Sequence, residues 1–386
     1  MILDFRVSRV VPSPALIFVT LLLFSMQVNA DCVKGVSAGD GGPVVAIDGT
    51  VCLPTFDVPL SSYMSERARK RFTQQVEEAR ANYSAVEKGS QAPSIDEMRK
   101  GVDGWYRPKV ERAESLWPVN IKEQFIGGVR THVITPKTGI LPGNRNRVLI
   151  NLHGGGFEVG AILGGMAESI PVSGTAKIKV ITVDYRMAPE YKFPAASEDV
   201  TSVYKALLEH YKPENIGIYG CSAGGILTAE VVAWLRKEGI PRPGAIGIFC
   251  TADAILGGDS RYTAALLDVS LGLPGPAPSA AENPPTVPLK YFGNIKRADP
   301  LVSPVTSPEI LARFPPTLLI SGTRDGGMST VVHMHTQLIK AGVYAELHIW
   351  EGMGHNFIVE MDVPESQEAY QVIKDFFAKQ LGKKQS

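Results

Sequence analysis

Short apolar stretches that each run into glycine or a small polar residue recur along the second two-thirds of this chain: RVLINLHGGGF, KVITVDYR, NIGIYG, AIGIFC, PTLLISG and AELHIWEG. Between them lie amphipathic segments with helical spacing. One runs from Ala195 to Tyr211 and puts Ala196, Val200, Val203, Tyr204 and Leu207 on one face. Others run from the Ser222 region through Lys237 and from Glu365 to Gln380. Continuous apolar strands alternating with helices require a mostly parallel sheet covered on both faces, so the fold class is α/β. The segment EQFIGGVRTHVITP adds a hairpin around Gly127 and Gly128 at the start of the sheet.

The 386 residues are 44% hydrophobic, enough for a large core in one big domain or in one domain plus a small cap. The formal net charge is zero, which argues against a nucleic-acid partner. Arg6 and Arg9 precede an uncharged stretch, Val10 to Ala30, whose apolar heart is Ala15 to Met26. Pro12 and Pro14 break it, and the heart is short for a span of ~20 residues. Val28 and Ala30 are small residues at cleavage-site spacing. Residues 1–30 therefore read as a signal peptide cleaved after Ala30, with a secreted or periplasmic product and no stable membrane anchor. Residues 31–118 read as a linker and helical cap, with helices over Ser61–Tyr83 and Ile95–Val102. Residues 119–386 form the main domain. It carries an irregular insertion at about 251–314, whose prolines exclude regular structure and whose length suits a substrate-facing loop.

Export makes disulfides possible. Of the four cysteines, Cys32 and Cys52 flank a Gly-rich segment and are the candidate bridge. Cys221 and Cys250 sit in strand-like surroundings, and Cys221 reads as a buried structural thiol. Neither pair has zinc spacing, so no metal is expected.

Gly220-Cys221-Ser222-Ala223-Gly224 follows a strand and opens a helix, the context that gives Gly-x-Ser-x-Gly its meaning. A sharp turn there lifts the Ser222 hydroxyl clear of the sheet. The new helix N-terminus adds a positive field for a developing oxyanion. The glycines after His153 allow N–H groups to point into a cavity, so Gly155, Gly156 and Ala223 are the expected oxyanion donors. His153 itself reads as structural. A serine at such an elbow takes its acid and then its histidine from later in the chain. His355, in the loop Gly352–Phe357 after a strand, is the expected base. His333 and His335 read as helix residues, and His348 lies inside a strand. Asp325, just after the PTLLI strand, is the expected acid, with Asp253 and Asp299 as competitors in the insertion.

The ordered set HGGGF, DYRMAPE, FPAA, GCSAGG, SGTRD and GMGHNF resembles the hormone-sensitive-lipase family of α/β-hydrolases, in its bacterial esterase branch, over roughly residues 120–380. The resemblance implies an eight-stranded, mainly parallel sheet with an N-terminal helical cap. It implies Ser222, Asp325 and His355 as a triad, Gly155, Gly156 and Ala223 as oxyanion donors, and a small ester as substrate with no cofactor. An amidase or peptidase could use the same triad; a non-catalytic binding protein of this fold would lack His355. The chain departs from the family in carrying Cys221 where an acidic residue often precedes the serine, and in its long Pro-rich insertion.

Overall fold

The computed structural model describes residues 36–37, 44–45, 51–53, 57–86, 93–269 and 290–383. Residues 1–30, which carry the export reading, and the middle of the insertion lie outside the described residues. Among the described residues, no helix is long and apolar enough to cross a membrane.

Eight strands form one sheet: β1 Val119–Ile126, β2 Val129–Pro136, β3 Val148–Leu152, β4 Lys179–Val183, β5 Ile216–Cys221, β6 Ala245–Phe249, β7 Thr317–Gly322 and β8 Ala345–Trp350. Their order is β8-β7-β6-β5-β3-β4-β2-β1. The β1–β2 hairpin is antiparallel and β2 runs antiparallel to β4. All pairings from β4 to β8 are parallel. Side chains alternate across the sheet with the strand period of two. Leu149, Tyr219, Phe249 and Leu318 enter one core; Ile150, Ile218, Ile248 and Leu319 enter the other. Helices α4 (Ala195–Leu208), α5 (Ala223–Lys237) and α6 (Met328–Lys340) cover the second face. Helices α3 (Leu163–Ala176) and α7 (Pro364–Gln380) cover the first, with the N-terminal helices above them.

Those N-terminal helices are α1, Glu66–Val86, and α2, Ile95–Leu116. Helix α1 starts after Ser61, because the capping hydroxyl is that of Ser65, which accepts from the Ala68 N–H at 3.1 Å. Helix α2 opens on a capping box between Ser94 and Glu97. It continues past the expected end at Val102 to Leu116, through Gly104 and Pro108. Tertiary packing overrides those breakers: Val102, Tyr106, Val110 and Ala113 make a buried stripe at helical spacing. The Tyr106 ring lies directly over Gly164 of α3, where a Cβ would come within 3.2 Å of it.

Charge ties this cap to the chain just beyond the Gly352–Phe357 loop. Glu360, largely buried, accepts from Arg71 at 2.8 Å and from Lys109 at 2.6 Å. Burial alone would raise its pKa, but the two cations outweigh that and hold the carboxylate below its usual range. Glu365 caps α1 from outside, accepting from the Ser65 N–H at 2.7 Å. The described parts of the insertion are irregular, as expected, but not purely superficial. Tyr291 and Phe292 are buried, and Tyr291 stacks on Phe157 with centroids 4.5 Å apart.

Removing one partner from a buried ion pair strands the others, at a cost of about 3 kcal/mol. Glu360→Ala is therefore expected to lower the urea midpoint by an amount of that order, whereas Arg112→Ala, whose partner Asp362 is exposed, leaves it nearly unchanged. Equal midpoints for the two variants would contradict this anchor. Because the folded pKa of Glu360 is depressed, its contribution is present above the unfolded carboxylate pKa and is lost as pH falls through the folded one.

Candidate active site

Ser222 stands between β5 and α5 at φ 59° and ψ −123°. A β-carbon in that region is strained, and the neighbours have no room to relax it. A Cβ on Gly220 would sit 2.4 Å from the Leu152 carbonyl oxygen, and one on Gly224 only 1.8 Å from the same atom. The turn is pinned by the Ser222 N–H donating to the Phe249 carbonyl at 3.0 Å. Its own carbonyl accepts from Gly225 and Ile226, which starts α5 at once.

Asp325 follows β7 and is 1% exposed. Its Oδ2 accepts from Ser321 Oγ at 2.9 Å, and its Oδ1 from the Gly327 N–H at 2.8 Å. The same Oδ1 lies 2.8 Å from His355 Nδ1. His355 follows β8, so β5, β7 and β8 deliver the serine, acid and histidine to one edge of the sheet. Burial would lower the histidine's pKa, but Asp325, reinforced by Asp268 and Glu168, outweighs it and raises the pKa above the usual imidazole value. The competitors form turns instead: Asp253 accepts from Ile255 N–H and Asp299 from Leu301 N–H. His333 is exposed on α6, His335 is half-buried there, and His348 lies on β8. His153 is buried and stacked on Tyr185 at 4.2 Å, as its structural reading predicts.

The loop after β3 holds Gly155 at φ 117° and Gly156 at φ 63°. A side chain on Gly155 would meet the Val159 carbonyl oxygen at 2.1 Å. Among the described residues, none accepts a hydrogen bond from the N–H of Gly155, Gly156 or Ala223. Three unpaired donors on both sides of a half-exposed serine form a place where negative charge is stabilised.

Cys221 is not a free thiol. It is bonded to Cys250, with Cα atoms 5.4 Å apart, joining the carboxyl ends of β5 and β6. Sequence separation gives no hint of this pairing, because adjacency arises only when β6 lies beside β5. The expected partner of Cys52 is Cys32, which lies outside the described residues; Cys52 itself is disulfide-bonded. Cys250 Sγ, a carboxylate oxygen of Asp325 and a ring nitrogen of His355 lie within 4.8 Å of one another. The sulfur, engaged with Cys221, is no thiolate and makes a poor metal ligand. The bridge thus packs against the acid and the histidine as well as the serine.

A family model for the alpha/beta hydrolase fold matches residues 149–359. The chain belongs to that family. An acetyl-hydrolase of Streptomyces hygroscopicus is 28% identical to this α/β-hydrolase over 239 residues, 61% of this chain and 77% of the relative. Among solved structures, esterase E25 superposes with a TM-score of 0.70 at 27% identity, covering 86% of this chain and 98% of that one. An esterase from the bacterial hormone-sensitive lipase family gives 0.68 at 26% identity, covering 82% and 99%. The resemblance carried by the HGGGF-to-GMGHNF series is borne out, as is the eight-stranded fold.

Two acids of this α/β-hydrolase escape sequence reading. Asp268, in the insertion, accepts the His355 N–H at 2.7 Å. Glu168, on α3, accepts the Gly154 N–H at 3.2 Å. Nothing marks Asp268 in its irregular segment. Glu168 leaves a trace, as the single charged residue in the sequence LGGMAESIPVSGTA. A small cavity of about 30 Å³ touches His355 from the cap side, between Met64, Phe72 and Trp105, without reaching Ser222.

The bridge closes a loop of sequence separation 29, and constraint of that size contributes about 3 kcal/mol. The double variant Cys221→Ala/Cys250→Ala is expected to melt lower by a corresponding amount, and reduction of the unaltered protein to move its melting in the same direction. A melting curve indifferent to both changes would contradict the assignment.

Proposed function

We propose that this α/β-hydrolase is a serine carboxylester hydrolase acting on small to medium acyl or alkyl esters. The observation that carries the proposal is the 2.8 Å contact between His355 Nδ1 and Asp325 Oδ1, which leaves Nε2 as the imidazole's working nitrogen. In this reading His355 takes the Ser222 proton as the hydroxyl oxygen attacks the ester carbonyl. The carbonyl oxygen becomes an oxyanion received by the N–H groups of Gly155, Gly156 and Ala223. Asp325 holds the ring and supports its protonated form. The imidazolium then gives its proton to the leaving alcohol, and water repeats the sequence on the acyl-enzyme. The chemistry needs no cofactor. An acetyl-hydrolase among the relatives supports a small acyl group.

A series of p-nitrophenyl esters of rising chain length, with a p-nitroanilide beside them, tests the reading. The unaltered protein is expected to prefer the short esters over the anilide, and Ser222→Ala to lose turnover. Inactivity on every ester would remove the proposal, and preference for the anilide would replace it with an amidase. The base must be neutral to accept a proton. With the His355 pKa raised, kcat/KM is expected to fall with acidification around a midpoint above the usual ~6.5 of histidine. Asp325→Asn removes the supporting charge; it should lower that midpoint and cut kcat by about 10⁴-fold. An unmoved midpoint would show that another group titrates.

Export belongs to the same proposal. A disulfide beside the nucleophile suits an oxidising compartment, and the expected mature N-terminus is Asp31. Intact mass of the protein recovered from its native host checks this; retention of residues 1–30 would contradict it.

A further inference from the structure

Glu168 is out of keeping with its surroundings. It is 2% exposed in a helix otherwise built of apolar and small residues. Burying a carboxyl is costly unless its oxygens are engaged, and both are. Oε1 accepts from the Gly154 N–H at 3.2 Å, and Oε2 from Asn151 Nδ2 at 3.0 Å. Asn151 Oδ1 accepts from Thr182 Oγ1 at 2.9 Å, which turns its Nδ2 toward the carboxyl. The Gly154 N–H and Asn151 Nδ2 thus present one donor to each carboxyl oxygen. Burial pushes the Glu168 pKa up to about 8 against those hydrogen bonds and the His355 charge. Among the described residues no lysine or arginine pairs with it.

The place it holds is where the glycine loop meets the elbow. A Cβ on Gly154 would lie 3.3 Å from Ser222 Cβ and 3.6 Å from Glu168 Oε1. A side chain on Gly154 would thus meet both the serine and the carboxyl. The next two residues, Gly155 and Gly156, carry two of the three unpaired N–H donors. Both are glycines at positive φ, with no side chain of their own to fix them.

We propose that Glu168 is a positioning residue for acyl transfer: by gripping Gly154 it sets the Gly155 and Gly156 donors against Ser222. The proposal rests on the reading of Ser222 as nucleophile. It acts on the transition state, where the oxyanion exists, and leaves ground-state binding of the ester alone.

Glu168→Met keeps the volume and removes both acceptors. It is expected to lower kcat by about tenfold to a hundredfold, the range for a displaced donor, with KM within about twofold. Affinity for an aryl trifluoromethyl ketone, whose adduct with Ser222 carries an oxyanion, should fall by the same factor. Glu168→Gln retains an oxygen for the Gly154 N–H, and its amide nitrogen can donate to an Asn151 amide turned over against Thr182 Oγ1, so it should recover most of both losses. Should Glu168→Met not fold, Asn151→Ala, which frees the carboxyl on its other side, is expected to give a smaller kcat loss with unchanged KM. Unaltered kcat and ketone affinity in the folded Glu168→Met protein, or in Asn151→Ala where that variant decides, would overturn the proposal. So would a Gln variant no better than Met. An inactive unaltered protein, or an active Ser222→Ala variant, would instead overturn the underlying reading of function.

Discussion

A serine held at φ 59° is unfavourable in isolation and persists only where its neighbours leave no alternative. Here the neighbours are backbone atoms. The Leu152 carbonyl closes on Gly220 and Gly224, and the Phe249 carbonyl takes the Ser222 N–H. Those carbonyls belong to β3 and β6, the strands on either side of β5. The elbow is therefore a consequence of sheet order. It is further tied by the Cys221–Cys250 bond, which joins the residue before the serine to the end of the neighbouring strand.

The same logic distributes the other groups. β7 lies beside β6 and β8 beside β7, all parallel to β5, so Asp325 and His355 arrive at the edge where Ser222 projects. The acid is buried and triply engaged, which fixes the imidazole that leans on it. The Gly352–Phe357 loop is braced from the insertion by Asp268 and is followed by Glu360, which locks to Arg71 and Lys109 of the cap. Elements far apart in sequence thus bear on one histidine.

Much of this was legible in the sequence because it depends on local signals. An apolar strand running into Gly-x-Ser-x-Gly and then a helix admits few geometries, and Asp325 and His355 follow apolar strands in the chain order such an elbow requires. The rest depends on contacts between segments. Helix α2 runs through Gly104 and Pro108 because Tyr106 finds a partner in α3, which no window of its own sequence reveals. The Cys221–Cys250 pairing needs β5 and β6 side by side, and the cysteines read in isolation suggest only a buried thiol. Asp268 and Glu168 carry no motif; their importance comes from the backbone N–H groups of His355 and Gly154 that they meet.

Covalent capture tests Ser222 as the nucleophile without assuming a substrate. The folded protein is treated with a fluorophosphonate and digested, and the modified peptide is sequenced by mass spectrometry. The account predicts a single phosphonate on Ser222, lost when His355 is replaced by Ala. An adduct on any other residue, or an unlabelled Ser222 in protein that cleaves esters, would contradict it.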